Sequence, residues 1–156
     1  MRTSLRLRFT MFCAACCAAL TPTYAKAESW LCITDRATGF YYDEISRQWK
    51  QTNFNVEESK YILRRSPRSE DAWELQQFGE ESIVPYAFCK DGFNDVGILR
   101  CNGFSAGVVL FNRNNGRFSN FSGGSYHSFD PNSELELFRK EGSDSPFVAL
   151  GRCTKI

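Results

Sequence analysis

From residue 30 onward the chain alternates apolar and polar residues in short runs, broken by turn signals about every 8–12 positions. Residues 30–34 (WLCIT) and 39–43 (GFYYD) read as the first two strands. Residues 49–56 and 60–64 follow, the latter ended by Ser66-Pro67. Residues 72–76 alternate cleanly and place Trp73 and Leu75 on one face. Residues 83–89 contain Pro85, which confines them to a sheet edge or an irregular path. Residues 98–101 and 107–112 lead to Asn114-Asn115-Gly116, a strong hairpin signal, and 117–121 return. Loops of two and of four residues both leave plausible faces there. Residues 146–152 read as the last strand. Residues 130–140 are two-sided. Asp130-Pro131 suits a helix start, with Leu135 and Phe138 on one face. Glu134-Leu135-Glu136-Leu137 alternates as a strand, and the β surroundings favour the strand. The pattern predicts an all-β fold over residues 28–156: a single-domain antiparallel barrel or sandwich of about 8–9 short strands.

The first 27 residues break this pattern. Arg2, Arg6 and Arg8 precede a mostly apolar run over residues 9–20, and Ala25-Lys26-Ala27 follows. A basic start, an apolar stretch of about a dozen residues and an A-x-A site describe a signal peptide over residues 1–27, cleaved after Ala27. The run falls short of the roughly 20 residues of a membrane-spanning helix, so no integral membrane span is expected. The stretch FCAACC, residues 12–17, then belongs to the leader, and its C-x-x-C is discarded with it. A redox C-x-x-C opens a helix in a βαβ setting, which nothing here supplies. Neither Cys16 nor Cys17 has a leucine-type residue three positions before it, as a lipoprotein signal requires.

Removing the leader changes the charge and the cysteine count. The whole chain carries 19 basic and 18 acidic residues; four of the basic ones lie in the leader, so 15 remain against 18 and the net charge becomes −3. That balance argues against nucleic acid as a partner. The dense basic spot of Lys60, Arg64, Arg65 and Arg68 reads as a solvated strand end, because neighbours on an extended chain point to opposite faces. Cys32, Cys89, Cys101 and Cys153 remain, an even number in an exported chain, and read as two disulfides. Cys89–Cys101 would close a short loop over residues 91–95, leaving Cys32–Cys153 to join the first strand to the last. A four-thiolate zinc site lacks its C-x-x-C spacing. The expected location is periplasmic or secreted.

No catalytic set emerges. His127 is the single histidine, so any triad must use it. Ser125, Ser128 and Asp130 are neighbours in sequence, which is not triad geometry. The acidic pairs Asp43-Glu44, Glu57-Glu58 and Glu80-Glu81 sit in turns, where carboxylates solubilise. Residues 91–95 (DGFND) hold oxygen ligands without the calcium-loop spacing. No metal or cofactor is expected. Asn120-Phe121-Ser122 is a formal glycosylation sequon.

Residues 121–126, FSGGSY, resemble the Ser/Gly-rich loop of periplasmic lysozyme inhibitors, small exported β-barrels whose loop enters the lysozyme cleft. The basic residue that usually precedes the loop's tyrosine is replaced by Ser125, and the downstream spacing departs from that family. The resemblance covers this loop alone, and family membership does not follow. It makes a loop that plugs another protein's cleft a concrete expectation. Strand aromatics read as core, and Phe93 and Tyr126 as the aromatics most exposed in loops. The expected function is a non-catalytic exported binding protein with a protein or cell-envelope partner, contacted through Phe93, Ser122, Ser125, Tyr126 and His127. A small-ligand barrel carrier and a small envelope-polymer hydrolase are the alternatives.

Overall fold

The computed structural model describes residues 28–68, 70–80, 82–103 and 107–156. The expected leader, residues 1–27, lies outside them. Nine antiparallel strands follow in chain order: β1 Ser29–Asp43, β2 Gln48–Phe54, β3 Lys60–Arg65, β4 Trp73–Gln77, β5 Ala87–Cys89, β6 Ile98–Gly103, β7 Val108–Asn112, β8 Arg117–Ser122 and β9 Phe147–Lys155. Between β8 and β9 run two short helices, α1 Gly124–Ser128 and α2 Glu136–Arg139. Each strand from β3 to β9 pairs with the next, and β9 pairs back onto β1. The result is a closed eight-stranded barrel, with β2 as an extra strand on the far half of β1. Closure removes the free edges that an open sheet would expose.

Alternation fills the interior. Trp30, Cys32, Leu63, Trp73, Leu75, Leu99, Cys101, Val109, Phe111 and Phe118 are buried, while their strand neighbours point outward. Trp73 and Leu75 share the inward face as the sequence predicts. Glu74 between them points the other way yet is also buried, held by Arg64 Nε at 2.8 Å. Both disulfides form as expected, Cys32–Cys153 and Cys89–Cys101. Each joins neighbouring strands inside the barrel. Cys32 pairs directly with Cys153 across the β1–β9 seam that closes it. Cys89–Cys101 anchors β5, the shortest strand, to β6.

Three sequence expectations are corrected. Residues 30–34 and 39–43 are one continuous strand, β1. A bulge between Thr34 and Arg36 shifts the inward phase from Trp30 and Cys32 to Gly39, so a period-two reading breaks there. Of residues 83–89 only the last three are strand. Residues 130–140 form no strand: the helix α2 lies there, and the Asp130 N–H donates to the Phe138 carbonyl at 2.8 Å. The physical reason is that β8 and β9 pair with each other over their facing lengths, leaving no edge between them for an added strand. The Asn-Gly hairpin resolves to a four-residue loop between Asn112 and Arg117. Gly116 adopts φ +68° there, a conformation glycine takes at little cost.

Candidate functional site

Antiparallel connectivity assigns every loop to one end of the barrel or the other. One end gathers the start of β1, the connections 66–72, 90–97 and 113–116, and the end of β9. The opposite end carries the β1–β2 hairpin, the 55–59 connection and the long 123–146 connection. Phe93 therefore lies at the first end, and Ser122, Ser125, Tyr126 and His127 at the second. The structure does not bring the five sequence-predicted contact residues into one surface.

The first end is plugged. Phe93 is half-buried and folds back over the core, with ring centroids 5.6 Å from Trp30, 5.4 Å from Trp73 and 5.9 Å from Phe111. Cations cover the plug from outside: Arg65 stands 4.2 Å above Trp73, Arg113 4.9 Å above Phe93 and Lys155 5.8 Å above Trp30. Asn94 builds the loop by accepting the backbone N–H groups of Val96 and Ile98 on its Oδ1, so this acidic turn is held by internal bonds. Phe93 is a lid on the hydrophobic core rather than an exposed aromatic.

The second end is open and built around a projecting hairpin. Beyond Gly39, β1 pairs with β2 alone, so residues 40–51 extend past the barrel rim as a two-stranded arm. Asp43 shapes its turn, pairing with Lys50 Nζ and accepting the N–H of Ile45 at 2.9 Å and of Ser46 at 3.2 Å. The Lys50 hydrogen bond first, then the turn amides, hold the Asp43 carboxyl down at about 2. The 123–146 connection braces the arm. Trp49 Nε1 donates to Glu141 Oε1 at 3.1 Å, and Lys140 pairs with Glu44 at 2.9 Å. Partial desolvation and the Glu141 carboxylate raise the Tyr42 hydroxyl above the ordinary phenol range. Gly142 adopts φ +81°, and a Cβ there would come within 2.5 Å of the Tyr42 Cβ.

Three rings line up across this junction: Tyr42 to Trp49 at 5.4 Å, and Trp49 to Tyr126 at 5.7 Å, edge to face. Tyr126 is still 70 % exposed. His127 is exposed beside it on α1. Ser122 is half-buried and its Oγ accepts the Gly124 N–H at 3.2 Å, a turn-shaping role. Ser125 lies within α1, and its side chain is outside the described ones. Two of the neighbours a triad would need, Ser128 and Asp130, make local turn bonds. Ser128 Oγ donates to the Gly124 carbonyl, and Asp130 Oδ1 accepts the Asn132 N–H. Among the described residues no group of three or more His, Cys, Asp or Glu is arranged to hold a metal ion.

Inside the rim of this end the core turns polar. Asn120 Nδ2 donates to Tyr86 Oη at 2.7 Å, and the Tyr86 ring lies 4.9 Å from Tyr61. Burial pushes both hydroxyls upward, Tyr61 furthest. Asn120 is buried and bonded inward, so the formal sequon presents no exposed amide for modification. Two small cavities open here, of about 200 Å³ beside Tyr86 and Asn120 and about 250 Å³ beside Phe54 and Tyr61. Both fall below the roughly 300–1,000 Å³ of drug-sized ligand sites. Tyr61 and Phe118 are buried in the barrel interior on this side, with Tyr86 partly buried against them.

Tyr42, Trp49 and Glu141 were not legible as site residues. Trp49 and Glu141 are 92 positions apart, and no local spacing links them. No protein-family model, curated protein or solved structure matches the chain.

Proposed function

We propose that the protein is an exported, non-catalytic binding protein whose open end contacts a protein or cell-envelope partner. The observation that carries this reading is Tyr126, largely exposed on α1 yet packed from behind against Trp49. An aromatic that is both presented and held in place loses little freedom on binding, which makes it suited to anchor an interface. His127 beside it is exposed, and so is Ile45 at the arm's tip on the same end of the barrel. The two disulfides are compatible with an oxidising location, and the leader pattern supports export. Ser122, Ser128 and Asp130 near His127 shape turns, which favours binding over turnover.

The test is a comparison of complexes recovered from the native compartment for the wild type and for Tyr126→Ala, His127→Ala and the double variant. The expected result is loss of one defined partner in the double variant with an unchanged melting curve. Partner recovery that ignores both substitutions would contradict the reading. So would turnover of an envelope polymer that disappears with His127→Ala.

A further inference from the structure

An antiparallel sheet packed on its core by one face normally turns a polar face to water. On β3 and β4 the outward positions include Lys60, Arg64 and Gln76, with Glu74 also outward but buried and paired with Arg64. β7, β8 and β9 differ. Their register sets Val108, Phe121 and Val148 side by side on the outer wall, with Leu110, Ser119 and Leu150 in the next row. Leu150 is 56 % exposed, and Leu110, Phe121 and Val148 are exposed as well. Ser119 is the small member of its row, and a groove of about 450 Å³ runs past it between the two leucines. Contiguous exposed apolar surface of this kind marks an interaction site.

The charge around it is mostly positive, with Asp35 the one carboxylate among the groove's lining residues. β6 to β9 contain no aspartate or glutamate. Arg100 is paired beside Leu110 and Arg36 beside Leu150, so an arginine closes each end of the leucine row. Arg117 and Arg152 are partners in the row beyond. The bulge residue Asp35 reaches Arg152 only at 4.0 Å. We propose that this wall is a second docking surface, for a protein whose apolar ridge is flanked by aspartate or glutamate side chains. It is separate from the open end and does not depend on the role proposed for Tyr126. A second copy is a poor occupant, because a two-fold contact would press the four arginines against their own images. A bilayer fits less well than a protein, because elements that lie in the membrane interface segregate an apolar face from a cationic one, whereas here the two interleave on a flat wall.

The test uses two short peptides, one alternating Glu and Leu and one alternating Lys and Leu, titrated against the whole protein by fluorescence anisotropy. The acidic peptide should bind, and weaken about tenfold or more between about 0.05 M and about 0.5 M salt. The lysine peptide should not bind. Leu150→Ser, and separately Arg117→Glu with Arg152→Glu, should each weaken the acidic peptide about tenfold, while Tyr126→Ala leaves it unchanged. All these positions are exposed, and melting curves confirm that each variant folds. No binding, equal binding of both peptides, or indifference to both sets of variants would overturn the proposal. So would a dimer that Leu150→Ser abolishes in sedimentation, or cosedimentation with phosphatidylglycerol vesicles in place of peptide binding.

Discussion

Phe93 and Tyr126 carry the same signal in the sequence, an aromatic set among small and polar turn residues, and the fold sends them to opposite ends with opposite fates. Phe93 turns inward and caps a stack of Trp30, Trp73 and Phe111 under a layer of cations. Tyr126 leans on Trp49 but leaves most of its surface in water. The plugged end also carries Cys32–Cys153 close to its rim, whereas the open end ends in tyrosine hydroxyls and Asn120. The difference teaches that an aromatic's role in a loop is decided by what lies beneath it. Beneath Phe93 is the barrel mouth, floored by Trp30, Trp73 and Phe111. Beneath Tyr126 is an arm that already has its own packing.

The largest expected effects separate the two ends by stability. On the chain-entropy model, removing Cys32–Cys153, whose partners are 121 residues apart, costs about 5 kcal/mol, against about 3 kcal/mol for Cys89–Cys101, 12 apart. Denaturant unfolding of the paired Cys→Ala variants checks the order. A smaller loss at the seam would mean that closure is secured elsewhere. Next comes the plug: Phe93→Ala should cost about 2–3 kcal/mol, at or below the range for fully buried phenylalanine because Phe93 is half-buried. Tyr126→Ala should change stability by about 0.5 kcal/mol or less. Equal costs at the two positions would erase the contrast between the ends.

The open end should show itself in alkali. Tyr61 and Tyr86 are held neutral by burial, with hydroxyls raised above the ordinary 10.0. Their contribution to stability is complete below pH 10 and is lost as pH rises through the raised values, because the unfolded chain then releases protons that the fold retains. Absorbance titration should reveal late-ionising tyrosinates, of which the latest is lost in Tyr61→Phe while that of Tyr86 remains. The smallest effect is at the arm. Asp43 is held at about 2 against an ordinary 3.8, so its contribution persists above 3.8 and is lost as pH falls through about 2. Asp43→Asn should flatten that acid limb alone, visible as a local loss of amide protection in the arm with the barrel unaffected.

Much of the fold was legible because it follows from local pattern. Trp73 and Leu75 alternate, Asn-Gly marks a hairpin, and the four cysteines outside residues 1–27 pair off as the strand order allows. The bulge at Asp35 was not, because one inserted residue inverts the phase that alternation relies on. The helix α2 was misread as strand because Glu-Leu-Glu-Leu alternates whether or not an edge is free to receive it, and only barrel closure shows that none is. The site was legible in half. Tyr126 and His127 stand exposed as expected, but the residues that brace them, Trp49 and Glu141, meet only through the fold. Phe93 belongs to the core for the same reason: the mouth it fills is made by strands distant in sequence.

The most direct test of the open end as the contact surface is site-specific photocrosslinking in the native compartment. A photoreactive phenylalanine analogue would replace Tyr126 in one variant and exposed Val96, beside the plug, in the other. The account predicts one adduct of defined mass from position 126 and none from position 96. An adduct from position 96 alone, or the same adducts from both, would contradict it.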